Sequence, residues 1–203
     1  TLFRCLMPVF AAMGLDVAVV GYPLCPEVSV ADLTEAARAS VPALRAFARE
    51  RHGRDLPIVV AGHSAGGHLA VELGSTDWAA RGIAPAPIAG VVALSGVYDL
   101  EPLVATSLNV ALRLDRESAR AASPLHRVGA IGAPALFAVG GGETDAFVTQ
   151  NAAMAAAWRA GGHEAREEVV GDEDHFSLIQ RLMERDGALE TAVRGLIDRT
   201  LAG

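Results

Sequence analysis

Short aliphatic runs alternate along this chain with longer stretches whose apolar residues recur every three or four positions. The runs at 16–21 (DVAVVG), 57–62, 89–95, 133–139 and 164–170 read as strands. The periodic stretches at 2–13, 29–51, 65–74, 147–160 and 176–201 read as helices. Glycine marks most of the helix ends: Gly14, His52-Gly53, Gly74 and Gly161-Gly162, with a break expected at Gly187. Ser29 and Asp32 have the spacing of a capping box. Pro42 lies inside the 29–51 stretch and predicts a kink or a split there, because proline removes a helix N–H. Strands alternating with helices imply an α/β fold with a mainly parallel sheet and helices on both faces. The nearly continuous apolar character of the strands fits a sheet covered on both sides. Residues 96–132 carry no clear rhythm and are expected to form a cap or insert over the carboxyl edge of the sheet, where open α/β folds bind ligands.

The 203 residues suit a single domain spanning 1–203. At 51% hydrophobic and 20% charged, the chain has enough apolar side chain for a sizeable core. The formal net charge of -7, with no basic cluster, argues against nucleic acid as a partner. No apolar run approaches the ~20 residues of a membrane span, which argues against a membrane partner. Cys5 and Cys25 make no disulfide framework and no secretion signal is visible, so a cytoplasmic location is expected. A small-molecule substrate is the expected partner, and exposed helices leave room for a homodimer. The chain starts at Thr1, and residues 2–13 already read as the middle of a fold, so a preceding segment is expected.

Residues 59–70, VVAGHSAGGHLA, set Ser64 where a strand turns into a helix. A turn that tight needs glycine wherever a Cβ would clash, and Gly62 and Gly66 flank Ser64 as Gly-x-Ser-x-Gly. In a nucleophile elbow the serine hydroxyl stands clear of the sheet at the start of the following helix. The N–H of Ala65 is then free to form half of an oxyanion hole. The same pattern also arises by chance in glycine-rich turns; the strand before it and the helix after it favour the elbow.

A serine hydroxyl needs a base, and the chain order in such folds is serine, acid, histidine. His175 fits the last place, in the polar loop GDEDHF between the last strand and the last helix. His126 lies in the irregular segment and His163 opens the last strand; both read as loop histidines. His63 and His68 flank the elbow and read as structural, not as metal ligands. The acid should follow the penultimate strand, where GGGETDAF offers Glu143 and Asp145. Asp172, Glu173 and Asp174 crowd His175 as well and read as a solvated acidic loop.

Several stretches together resemble the arylformamidases, or kynurenine formamidases, of the α/β-hydrolase superfamily. They are YPLCPEVSVADL (22–33), GHSAGGHLA (62–70), LSGVYDLEPLVATSLNVALRLD (94–115), SPLHR (123–127), GGGETDAFVTQN (140–151) and DHFSLI (174–179). The resemblance implies an α/β-hydrolase fold and hydrolysis of N-formylkynurenine to kynurenine and formate, a step of tryptophan catabolism. It implies Ser64 as nucleophile and His175 as base. Anchoring the family pattern on Phe147 puts Glu143 on the acid position, with Asp145 as the alternative. The family also carries a His-Gly-Gly-x-Trp stretch before its first helix that completes the oxyanion hole. That stretch and the earlier strands have no counterpart in these residues, and they are expected upstream of Thr1.

On this reading no metal and no organic cofactor is required. Tyr98, Leu103 and Asn109 of the irregular segment are expected to line the side that takes the aromatic amine; the plainer reading is that they pack a cap. Two other functions stand beside formamide hydrolysis: a general carboxylesterase acting on small acyl esters with the same machinery, and a catalytically silent hydrolase fold used as a binding module. A histidine base also predicts a rate that falls in acid, as an imidazole with an ordinary pKa near 6.5 takes up its proton.

Overall fold

The structure is a computed structural model and describes residues 2–201. A 3-10 turn at Leu2–Leu6 leads into α1 (Met7–Ala12), and then comes α2 (Val30–His52). The centre of the chain runs β1 (Ile58–His63), α3 (Ala65–Gly74) and β2 (Ile88–Leu94). Residues 96–132 fold into short pieces: 3-10 turns at Glu101–Ala105 and Pro124–His126, and between them α4 (Asn109–Leu112) and α5 (Arg116–Ala122). The chain closes with β3 (Ala135–Gly140), α6 (Asp145–Ala160), β4 (Ala165–Val170), α7 (Ser177–Met183) and α8 (Ala188–Leu201).

Among the described residues, the four strands form one parallel sheet in the order β1-β2-β3-β4. Strand alternation sorts the side chains into two cores. Val91, Ala93, Ala135 and Phe137 join Val41 of α2, Ala70 and Val71 of α3, and Met154 and Trp158 of α6. Val92, Leu94, Leu136 and Ala138 face the other way, onto Leu178 and Leu182 of α7 and Val193, Leu196 and Ile197 of α8. The result is a helix–sheet–helix sandwich in which β2 and β3 are buried and all strands end at one carboxyl edge.

Three expectations change. The 16–21 run is not a strand: Val19 and Val20 are 49% and 38% exposed, and no described strand lies beside it. A strand is defined by its ladder, so apolar alternation without a neighbour leaves only extended chain. Pro42 does not split α2, which runs unbroken from its Ser29–Asp32 capping box to Gly53 at φ 71°. Val30, Thr34, Ala37, Val41 and Arg45 are buried at helical spacing, and that shared stripe holds both halves against the body. β4 departs from the fully buried pattern, since Arg166 and Val169 are exposed; it is an edge strand carrying charge, as edges tend to.

Candidate functional site

Ser64 sits between β1 and α3 with φ 56° and ψ -119°, a region L-residues rarely occupy. Two backbone bonds fix it there: its N–H donates to Leu94 O (2.9 Å), and its carbonyl accepts from His68 N (3.1 Å). Ala65 is the first residue of α3, so its N–H has no helical acceptor and is available to an anion.

The glycines divide the work differently from the motif. A Cβ on Gly62 would run into the Gly66 carbonyl, so Gly62 is sterically required. A Cβ on Gly66 would meet nothing within 4 Å. The second close approach belongs to Gly67, whose Cβ would lie 2.8 Å from Gly96 Cα. Gly67→Ala is therefore expected to lower stability by about 1–3 kcal/mol through overpacking against backbone. Gly66→Ala should stay within about 0.5 kcal/mol of the parent, as at an open surface position. Urea unfolding midpoints of the two variants check this contrast.

The loops after β3 and β4 meet across a run of three glycines. Cβ atoms on Gly140, Gly141 and Gly142 would strike the carbonyl oxygens of Glu173, Gly171 and Asp172 respectively. Without side chains there, the acid loop lies directly on the histidine loop, and Gly142 N donates to Glu173 O (3.0 Å). Glu143 and His175 are thereby joined: His175 Nδ1 is 2.7 Å from Glu143 Oε2. The Glu143 side chain is 1% exposed and that of His175 24%. Glu143 Oε1 accepts from Gly140 N (3.0 Å) and from the Ser95 hydroxyl.

Asp145, the other acid considered, is exposed in the first turn of α6. Asp174 spends its carboxylate on the Phe176 and Ser177 N–H groups (2.8 Å each), and those donors hold its pKa below the usual range. Glu173 pairs with Arg181 at 2.5 Å. The acids flanking His175 therefore brace its loop and leave the imidazole to Glu143.

His63 ties that loop to the elbow. Its Nε2 lies 2.6 Å from the His175 carbonyl, and the two rings are 4.3 Å apart. Phe147 and Phe176 complete the surround, at ring separations of 4.6 and 5.4 Å from His175. The structure thus joins Glu143 to His175 directly, and His63, the residue before Ser64 in sequence, contacts the His175 loop. Among the hydrogen bonds of the described residues, none links the Ser64 hydroxyl to His175.

The residues expected to line an amine pocket are used otherwise. Tyr98 is fully buried, edge-on to Phe137 at 5.7 Å in the core. Leu103 packs against Val30, Leu100 and Ala119 in a small separate cluster. Asn109 donates to Val104 O (3.1 Å) and Leu114 O (2.9 Å) and accepts from Leu114 N (2.7 Å), which consumes its amide in bracing the 104–114 loop. Leu103 and Asn109 thus pack within the 96–132 segment, and Tyr98 belongs to the sheet core. His163 lies 2.8 Å from Gly129 O and 5.6 Å from the Trp158 ring, so its imidazole is engaged away from Glu143. His126, Asp99 and Glu101 bring potential ligand atoms within 4.8 Å of one another, but Glu101 already pairs with Arg116 and Arg120.

Two residues of the site escaped the sequence reading, Ser95 and His63 in its contact with the 175 loop. Ser95 had one visible signal: it is a small polar residue ending an apolar central strand at the carboxyl edge.

His63 and His68 also set a pH dependence of stability. Burial pushes the pKa of both down, helped at His63 by the neighbouring His175 and opposed at His68 by Glu72. Below about pH 6.5 the unfolded chain takes up these protons while the folded state resists, so stability falls as the pH falls. Each histidine contributes a slope of up to ~1.4 kcal/mol per pH unit in that window. His68 Nδ1 lies 3.0 Å from Val97 O, and His68→Asn keeps a donor near that position. The variant is expected to show a flatter fall in Tm between pH 6.5 and 5, read by thermal unfolding across buffers.

A family model described as alpha/beta hydrolase fold matches residues 4–178. Kynurenine formamidase of Danio rerio is 28% identical over 192 residues, covering 92% of this chain and 64% of its own length. Kynurenine formamidase of Salmo salar is 28% identical over 179 residues, covering 85% of this chain and 59% of its own length. The chain thus spans less than two thirds of the length of these relatives. The solved carboxylesterase Cest-2923 of Lactobacillus plantarum shares the fold, with a TM-score of 0.76 at 18% identity over 98% of this chain and 80% of that one. None of the described helices is long and apolar enough to cross a membrane.

Proposed function

Because the chain belongs to the α/β hydrolase fold family, we propose that it is a serine hydrolase that cleaves the formamide of N-formylkynurenine to kynurenine and formate. The observation that carries this reading is the Glu143–His175 pair, 2.7 Å apart, in a loop bonded to the residue before Ser64. Glu143 holds one imidazole nitrogen, which fixes the ring orientation and leaves the other nitrogen for the serine proton. The strained backbone at Ser64 is what a hydroxyl held clear of a sheet requires. The likeness to two kynurenine formamidases supports the substrate.

In this mechanism Ser64 attacks the formyl carbonyl as His175 takes the hydroxyl proton. The Ala65 N–H donates to the oxyanion. Collapse of the tetrahedral intermediate expels the aromatic amine, which receives the proton from His175. Water, deprotonated by the same histidine, then releases formate from the formyl-serine. Glu143 keeps the ring oriented and steadies the imidazolium.

The test is a parallel assay of N-formylkynurenine and short p-nitrophenyl esters, with a serine-directed phosphonate as a label. Turnover of the formamide together with labelling at Ser64 supports the reading. Ester cleavage alone makes the chain a carboxylesterase, and no labelling makes it a binding module.

A further inference from the structure

We propose that Ser95 is a positioning residue for Glu143: its hydroxyl and the Gly140 N–H together anchor Oε1, which leaves Oε2 aimed at the imidazole of His175. The inference rests on the serine-hydrolase reading above. A glutamate has one more rotatable bond than an aspartate, so holding it in one rotamer costs more side-chain entropy. One bond to the imidazole would leave the carboxylate free to pivot about that contact. Two donors on the other oxygen remove the pivot.

The anchor itself cannot move. Ser95 is 1% exposed, lies at φ 45°, and donates its N–H to Ala138 O at 2.7 Å. Its preceding carbonyl, Leu94 O, is the acceptor of the Ser64 N–H. A single peptide therefore carries the nucleophile's backbone on one side and the acid's carboxylate on the other. Ser95 itself lies at a positive φ, and among the described residues its hydroxyl makes no other hydrogen bond. A residue kept only for packing would not need either feature.

The charged and titratable groups facing this pair are His63, against the imidazole ring, Asp174, beside His175, and the buried Tyr98 phenol, near Glu143. None of them donates to Glu143 Oε1, so none replaces the Ser95 hydroxyl. Removing that hydroxyl takes one donor from a buried carboxylate, and the acid–imidazole pair then holds a proton more tightly.

A double-mutant cycle tests the inference. Ser95→Ala is expected to lower kcat about tenfold with KM within twofold of the parent, and to move the acid limb of kcat/KM to higher pH. Ser95→Gly suits the positive φ, so it removes the hydroxyl without backbone strain and should show the same two effects if the alanine variant folds poorly. Added to Glu143→Gln, either change should alter kcat less than twofold, because the group that Ser95 orients has already gone. Parent-like kcat in Ser95→Gly, an unmoved acid limb, or a further tenfold loss on top of Glu143→Gln would each overturn the proposal. A parent protein that neither turns over nor takes the phosphonate label would instead overturn the hydrolase reading on which it rests.

Discussion

Ser64→Ala is expected to lower kcat by about 10⁴–10⁶, the range seen when a hydrolase loses its nucleophile, and to abolish phosphonate labelling. It should do so without loss of fold. The Ser64 side chain makes no cap bond to α3, and both backbone bonds at this position survive the change. The backbone at φ 56° and ψ -119° is costly for any residue with a Cβ, by about 1–3 kcal/mol. Ser64→Gly should therefore be inactive and more stable than the parent by about 1 kcal/mol, as read from urea unfolding. Activity and stability would then move in opposite directions at one position, as expected of strain kept for function. Turnover that survives in both variants would remove Ser64 from the chemistry.

Glu143→Gln is the second large effect, with an expected fall of about 10³–10⁴ in kcat, comparable to amide replacement of a triad carboxylate. An amide presents one acceptor, whereas Oε1 and Oε2 of Glu143 accept from Ser95, Gly140 and His175 at once. At least one of those donors loses its partner, or the imidazole is forced into the wrong tautomer. Asp145→Asn is the matched control. Asp145 is exposed in the first turn of α6, so its loss should cost only about 0.3–1 kcal/mol of helix-end electrostatics and leave kcat within twofold. Steady-state kinetics of the two variants decide between the acids; the reverse ranking would move the acid to Asp145.

Local signals in the sequence carried far where local physics decides. The 65–74 helix, the Ser29–Asp32 cap and the break before α8 were all readable, because capping, glycine stops and periodicity act over a few residues. Place alone pointed to His175 after the last strand and to an acid after the strand before it, since parallel sheets gather loops at one edge; it left Glu143 and Asp145 open, and only the family resemblance favoured Glu143. What failed depended on neighbours distant in sequence. Residues 16–21 have the composition of a strand but no described strand beside them. Gly66 matched the motif while Gly67 met the steric constraint, because the obstacle is Gly96, far along the chain. Tyr98 looked like a pocket aromatic and is a core ring, since nothing local distinguishes an inward from an outward tyrosine. Ser95 was read as the end of a strand, and its hydroxyl donates to a carboxylate 48 positions away.

The three bare backbone units at 140–142, pressed onto the carbonyls of 171–173, have an evolutionary corollary. If codons 140–146 were randomised and survivors selected for a folded product, the first three should return almost entirely as glycine, while Thr144, Asp145 and Ala146, all exposed, should diversify freely. Mutational tolerance in this loop would then change abruptly across position 143.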